Sequence, residues 1–310
     1  GGMEIMKLGK KLLSLLTVLC LTLSLFPTMA FAAGGDTEET VSIGYTITLH
    51  KGQYLLSDGS GPVNGVPNSD TGYIYFKPDG TLELNNYSAA SSTTVNRIRG
   101  SSNNDLTIKL IGDNYIYSEN NGIYSGGALT ISGPGSLTLT AAINTTIYAK
   151  DTITIQGGAK VTAACGRDGQ SIHLDNDDKK IIITGSNTKV DASDSTNGKG
   201  EIRCGYSVSK YTTCTGEIQL NDGAKLTASK INGTLKINGQ TNSSTQIDEV
   251  TALPTTYTVS GTVTDSSSTP IAGATVQLCT TGTDATTPVI ATSTTDNNGK
   301  YSLTGISKGS

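Results

Sequence analysis

Five isoleucines recur through the middle of the chain, Ile98, Ile123, Ile147, Ile172 and Ile202, and each is followed by a side chain that can hold a ligand. Those followers are Arg99, Tyr124, Tyr148, His173 and Arg203. Successive residues of a strand point to opposite faces, so inward isoleucines place these five in one outward row. Guanidinium, phenol and imidazole groups combine flat faces with polar edges. That is the mix that takes the apolar faces and hydroxyls of sugar rings. Tyr115 and Tyr117 add aromatic surface nearby. The competing use is structural, because tyrosine is at home in strands and in cross-strand pairs.

Other chemistry is sparse. Asp175-Asn176-Asp177-Asp178, followed by Lys179-Lys180, is the one dense acidic group. Glycoside hydrolysis needs paired carboxylates, one to protonate the leaving oxygen and one to activate water or attack. Asp175, Asp177, Asp178 and Arg203 would be the set for a calcium-dependent lyase, but carboxylates mixed with lysine between strands are the mark of a solvated loop. The loop has hard oxygen donors without the D-x-[DN]-x-[DN]-G spacing of a calcium loop, which leaves Asp175, Asp177 and Asp178 a lesser calcium candidate. With 2 His and no Trp, neither a histidine metal site nor an indole platform is expected. The reading is of a protein that is not an enzyme and carries no cofactor.

The elements that position the row come from a repeat. Leu106-Thr-Ile-Lys-Leu, Leu129-Thr-Ile-Ser-Gly, Ile153-Thr-Ile-Gln-Gly, Ile181-Ile-Ile-Thr-Gly and Ile218-Gln-Leu-Asn-Asp share one pattern. A second short strand follows most of them: Leu137–Leu139, Val161–Ala163, Val190–Ala192 and Leu226–Ala228. In the first copy Asn114 and Ile116 hold the matching places. Self-similarity at this spacing means a solenoid. Strands of three to five residues alternate apolar with polar, and glycine turns separate them. No stretch shows helical periodicity. Three strands per coil predict an all-β, right-handed parallel β-helix of three sheets, with like residues stacked about 4.8 Å apart. Such a stack needs caps. Residues 33–90 are expected to form the N-terminal cap, 91–245 the repeats and 246–256 a linker. The Thr107, Thr130 and Thr154 column is expected to reflect exposed-strand propensity.

The wording Asp105-Leu-Thr-Ile, Gly122-Ile-Tyr and Ala128-Leu-Thr-Ile-Ser-Gly-Pro-Gly-Ser-Leu-Thr-Leu resembles the β-helical, carbohydrate-binding-domain surface proteins of Gram-positive bacteria, over roughly residues 80 to 240. The resemblance implies an exported protein with a polysaccharide or cell-surface glycan as partner. Parallel β-helices also include pectin lyases and polygalacturonases, but Arg97-Ile98-Arg99 precedes the acidic group, the reverse of the order in such hydrolases. Farther on, Val259-x-Gly261-x-Val263, Pro270-Ile-x-Gly273-Ala274-x-Val276-x-Leu278 and Thr295-Asp296-x-x-Gly299-x-Tyr301-x-Leu303 resemble the carboxypeptidase regulatory-like (Cna-B-type) β-sandwich. That resemblance implies a spacer or accessory module over residues 257–310, a partial sandwich whose last strands are missing. Asn298-Gly299 is expected as its hairpin turn.

Lys7, Lys10 and Lys11, an apolar run from Leu12 to Phe26 and the small residues Ala30 and Ala32 predict a secretory signal peptide over residues 1–32. No membrane span is expected after its cleavage. An oxidising compartment permits disulfides. Cys204 and Cys214 are close enough in sequence to close a loop, and Cys165 continues an inward alternation as a small hydrophobe. With 22 Lys and Arg against 26 Asp and Glu, the net charge of −4 gives no footprint for nucleic acid. Three roles follow as expectations. The leading one is a cell-surface or secreted carbohydrate-binding adhesin using the Arg/Tyr/His face. The others are a passive stalk and a β-helical lyase or hydrolase.

Overall fold

The structure, a computed structural model, describes residues 39–68, 70–89, 97–166, 169–193, 200–206, 213–254, 256–279 and 289–307. The signal peptide expected over residues 1–32 lies outside them. All regular structure among the described residues is β-strand, and no helix there is long and apolar enough to cross a membrane.

Three parallel sheets wind into a β-solenoid. Each coil runs from sheet B (Leu106–Ile111 in the first complete copy) to sheet C (Asp113–Ser118) and then to sheet A (Ile123–Ser125). Sheet B stacks Leu106, Leu129, Ile153, Ile181 and Ile218 in one inward column, and Ile108, Ile131, Ile155, Ile183 and Leu220 in a second. All are 0–2% exposed. Sheet A stacks Ile98, Ile123, Ile147, Ile172 and Ile202. A fully buried Leu or Ile contributes about 1.5–3 kcal/mol, and here each finds its partner in the neighbouring coil, so the core is a property of the stack. The corner from sheet B to sheet C explains the glycines. Gly112, Gly133, Gly157 and Gly185 have φ of 60, 102, 66 and 94°, and a Cβ at Gly133 would lie 2.4 Å from the Leu110 carbonyl oxygen.

Antiparallel strands close the ends. Thr40–Ile43, with Ile47–His50 beside it, caps sheet A against Ile98–Gly100. Gln53–Leu56 and Tyr73–Phe76 lead antiparallel into Thr81–Asn85, which begins the parallel ladder of sheet B. At the other end Gln240–Asn242 closes sheet B on Thr234–Ile237. Ile247–Thr251 closes sheet C on Lys225–Ala228, so much of the stretch expected as a linker is a capping strand.

The C-terminal module has two antiparallel pairs, Thr256–Thr262 with Lys300–Ser307 and Thr275–Cys279 with Val289–Thr294. Leu303 and Ile306 are buried. The Asn298-Gly299 turn joins one pair to the other instead of closing a hairpin ladder. It is a four-residue turn in which the Asp296 carboxylate accepts from the Asn298 and Lys300 amides at 2.8 and 2.9 Å, with Gly299 at φ 69°.

Candidate functional site

The outward row on sheet A exists as one column. Arg99 pairs with Tyr124, Tyr124 with Tyr148, Tyr148 with His173 and His173 with Arg203, each across adjacent strands. The side chains close on one another. The rings of Tyr124 and Tyr148 stack with centroids 5.2 Å apart and 9° between planes, and His173 meets Tyr148 edge-on at 5.4 Å. The Arg99 guanidinium covers Tyr124 at 5.1 Å from its centroid. Such stacked and cation–π contacts contribute about 0.5–1.5 kcal/mol each. The flat faces that a sugar would stack on are therefore occupied by the column's own members. Edges and polar atoms remain for the outside.

Polar contacts tie the lower half down. The Tyr148 hydroxyl donates to Asp175 at 2.7 Å, and burial, with that bond, pushes its ionisation well above the usual phenol range. His173 Nε2 lies 3.3 Å from the Gly205 carbonyl oxygen, a contact that requires the proton on Nε2 because a carbonyl only accepts. The Asp175 carboxylate is 4.0 Å from the same nitrogen. Burial holds the imidazole below its ordinary pKa despite that carboxylate.

Arg203 departs from the expected role. It is 3% exposed, and its Nη2 pairs with Glu201 at 3.2 Å. Asn232 donates to the same carboxylate at 3.0 Å and accepts the Cys214 amide at 2.8 Å. Arg203 is therefore a buried ion-pair partner of Glu201 and not an exposed member of the row. The sulfurs of Cys204 and Cys214 are not bonded to each other. Cys204 belongs to the core, where burial pushes its thiol up to about 12, and its sulfur faces the Glu217 carbonyl. The Cys214 sulfur faces the carbonyl of Gly205. Cys165 is 1% exposed, at an inward position.

The acidic loop does not gather. Asp175 is engaged by Tyr148 and His173, Asp177 faces the Thr215 hydroxyl at 3.5 Å, and Asn176 accepts the Asp178 amide. Among the described residues no three His, Cys, Asp or Glu side chains converge as a metal site, so Asp175, Asp177 and Asp178 do not form the calcium set considered from sequence.

Tyr115 and Tyr117 lie elsewhere, on the outer face of sheet C. Their register partners there are Thr138 and Thr140. Tyr115 is 40% exposed, so it stands beside small polar neighbours and not in an aromatic stack. Lys160, Lys189 and Lys225 occupy one outward column of the same face. Sequence reasoning passed over them, although their signal was present: a lysine stands immediately before the second strand in three successive repeats.

Comparison with known proteins gives one match. A family model described as carboxypeptidase regulatory-like domain matches residues 258–310. No curated protein and no solved structure matches the chain.

Proposed function

We propose that the chain is a non-enzymatic structural component of an exported surface protein, with the solenoid as a stiff rod and the regulatory-like module as a second spacer unit. The self-stacked column on sheet A carries this reading, since an array that would serve a ligand is spent on cross-coil packing. The regulatory-like match over residues 258–310 supports it. The engagement of the acidic loop by Tyr148, His173 and Thr215 favours structure over catalysis. The double variant Tyr124→Ala plus Tyr148→Ala tests it. A structural column predicts a thermal midpoint lowered by several degrees, from about 1–3 kcal/mol of lost packing, with retention on immobilised polysaccharides unchanged. Loss of retention with an unchanged midpoint would return the column to a ligand-binding role.

A second reading is that the rod also contacts carbohydrate. It is favoured by the exposed Tyr115, whose outward column continues into the exposed Thr138 and Thr162 on the flat face of sheet C.

A further inference from the structure

Sheet C carries an arrangement that packing alone does not account for. Lys160 is directly opposite Lys189, and Lys189 directly opposite Lys225, on three successive coils. Coils in a parallel sheet are about 4.8 Å apart, and like charges directly opposite each other destabilise the pair. The chain as a whole has a net charge of −4, so this is a local concentration against the average. Compensation within the fold is partial. Glu249 reaches Lys189 at 3.2 Å and Lys225 at 3.4 Å, while Lys160 has no acidic partner within 4 Å among the described residues. The nearby Asp113 carboxylate accepts from Ser136 Oγ at 2.7 Å, and Asp191 accepts from the Ser193 amide at 3.0 Å. One carboxylate is thus shared by two of the three ammonium groups.

The neighbouring outward column supplies the other half of a site. Tyr115, Thr138 and Thr162 stand in register, all exposed, two residues along each strand from Asp113, Ser136 and Lys160. The two sets share only the coil of Lys160 and Thr162, and Lys189 and Lys225 stand beside Asp191 and Thr227. A polymer running along the solenoid axis therefore meets aromatic and hydroxyl groups over the first coils and cations over the later ones.

We propose that the outer face of sheet C binds an anionic, carboxylated polysaccharide lying along the solenoid axis. Lys160, Lys189 and Lys225 take its carboxylates, and Tyr115, Thr138 and Thr162 take its ring faces and hydroxyls. This rests on the carbohydrate-contact reading above and assigns it a face and a ligand class. Binding is by charge-assisted contact, so the lysine ladder acts without any covalent step.

The test uses the whole chain and affinity electrophoresis in gels containing polygalacturonate, its fully methyl-esterified neutral form, or long-chain polyphosphate. Three proteins are compared: wild type, the triple variant Lys160→Gln/Lys189→Gln/Lys225→Gln and the single variant Tyr115→Ala. Gln keeps most of the stem and relieves like-charge repulsion, and circular dichroism confirms folding. The expected result is retardation of wild type by polygalacturonate, at least about tenfold weaker in the triple variant and weakened on raising the salt, as exposed charge pairs are. Tyr115→Ala is expected to weaken polygalacturonate binding as well. Equal retardation by the neutral ester, unaffected in the triple variant, would overturn the anionic assignment while leaving carbohydrate contact standing. Equal binding to polyphosphate with no effect of Tyr115→Ala would reduce the face to simple ion pairing and overturn the glycan assignment. No retardation in either polysaccharide gel would overturn both this proposal and the carbohydrate reading, leaving the rod.

Discussion

His173 shows how a single residue reports the state of the column. Its imidazole is buried against Tyr148 and faces the Gly205 carbonyl, with Asp175, Arg203 and Glu201 as the charged groups around it. Burial is the largest influence and depresses the folded pKa below the ordinary 6.5. The unfolded chain therefore takes up the proton first as pH falls. Stability from this residue is present above about pH 6.5 and is lost as pH falls through the folded value. His173→Gln removes the titration and keeps a donor for the Gly205 carbonyl. Urea midpoints measured at about pH 7.5 and 5.5, the window around an ordinary histidine, should fall on acidification in wild type and change less in the variant. Glu217 belongs to a separate window. Lys236, Gln219 and Lys180 hold it at about 2, so its contribution is present above about pH 4.5 and lost only below it. An equal acid slope between pH 7.5 and 5.5 in both proteins would mean that the imidazole is not sealed from water. Tyr148 sets the alkaline counterpart, since its raised ionisation keeps its contribution until the pH passes the ordinary phenol range near 10.

At the scale of elements, the first coil contains the exception that defines the joint with the cap. Asn114 stands opposite Leu137, in the column continued by Val161, Val190 and Leu226, yet it is 2% exposed. Its side chain bridges coils: the oxygen accepts the Tyr87 amide at 2.9 Å and the nitrogen donates to the Ser136 carbonyl at 3.0 Å. It gives the Tyr87 amide a partner just before the short Ser88–Ala89 strand begins. Asn114→Leu restores the repeat but strands a buried amide, at about 1–3 kcal/mol. We expect a lower thermal midpoint despite the added apolar volume, measured by calorimetry; a rise would show that column continuity outweighs the bridge. The columns themselves were legible in the sequence because the period-two alternation and the spacing of the Leu-Thr-Ile and Ile-Thr-Ile segments leave one way to stack them. The corner glycines were legible as turns for the same reason. Ring orientation was not, because alternation says that Tyr124 and Tyr148 face outward and nothing about side-chain torsions. The burial of Arg203 was not legible either, because alternation turns it outward and says nothing of its pairing with Glu201 two residues before it.

For the whole molecule the governing problem is the two ends of the stack, since parallel sheets leave rows of unpaired backbone groups there that invite pairing with another chain. Ile247–Thr251 is the device that manages this for sheet C. It lies antiparallel on Lys225–Ala228, Ile247 and Val250 pack against the core, and Glu249 clamps two of the stacked lysines from the same strand. The Ala252 amide donates to the Ala224 carbonyl at 2.9 Å, and the alternation of an antiparallel ladder puts Val250 at the next bonded position. Val250→Pro removes that donor and forces the strand away from its neighbour. The expectation is a folded solenoid, by its circular dichroism, that self-associates in a concentration-dependent way, because the uncovered edge offers a template of matching register. Light scattering against concentration decides the matter. A variant that stays monomeric across the range would mean that the side chains of the last coil, and not the capping strand, keep the end closed. An associated variant would place the solubility of the solenoid in five residues outside its repeats, which is where a stack stabilised only by neighbours must keep it.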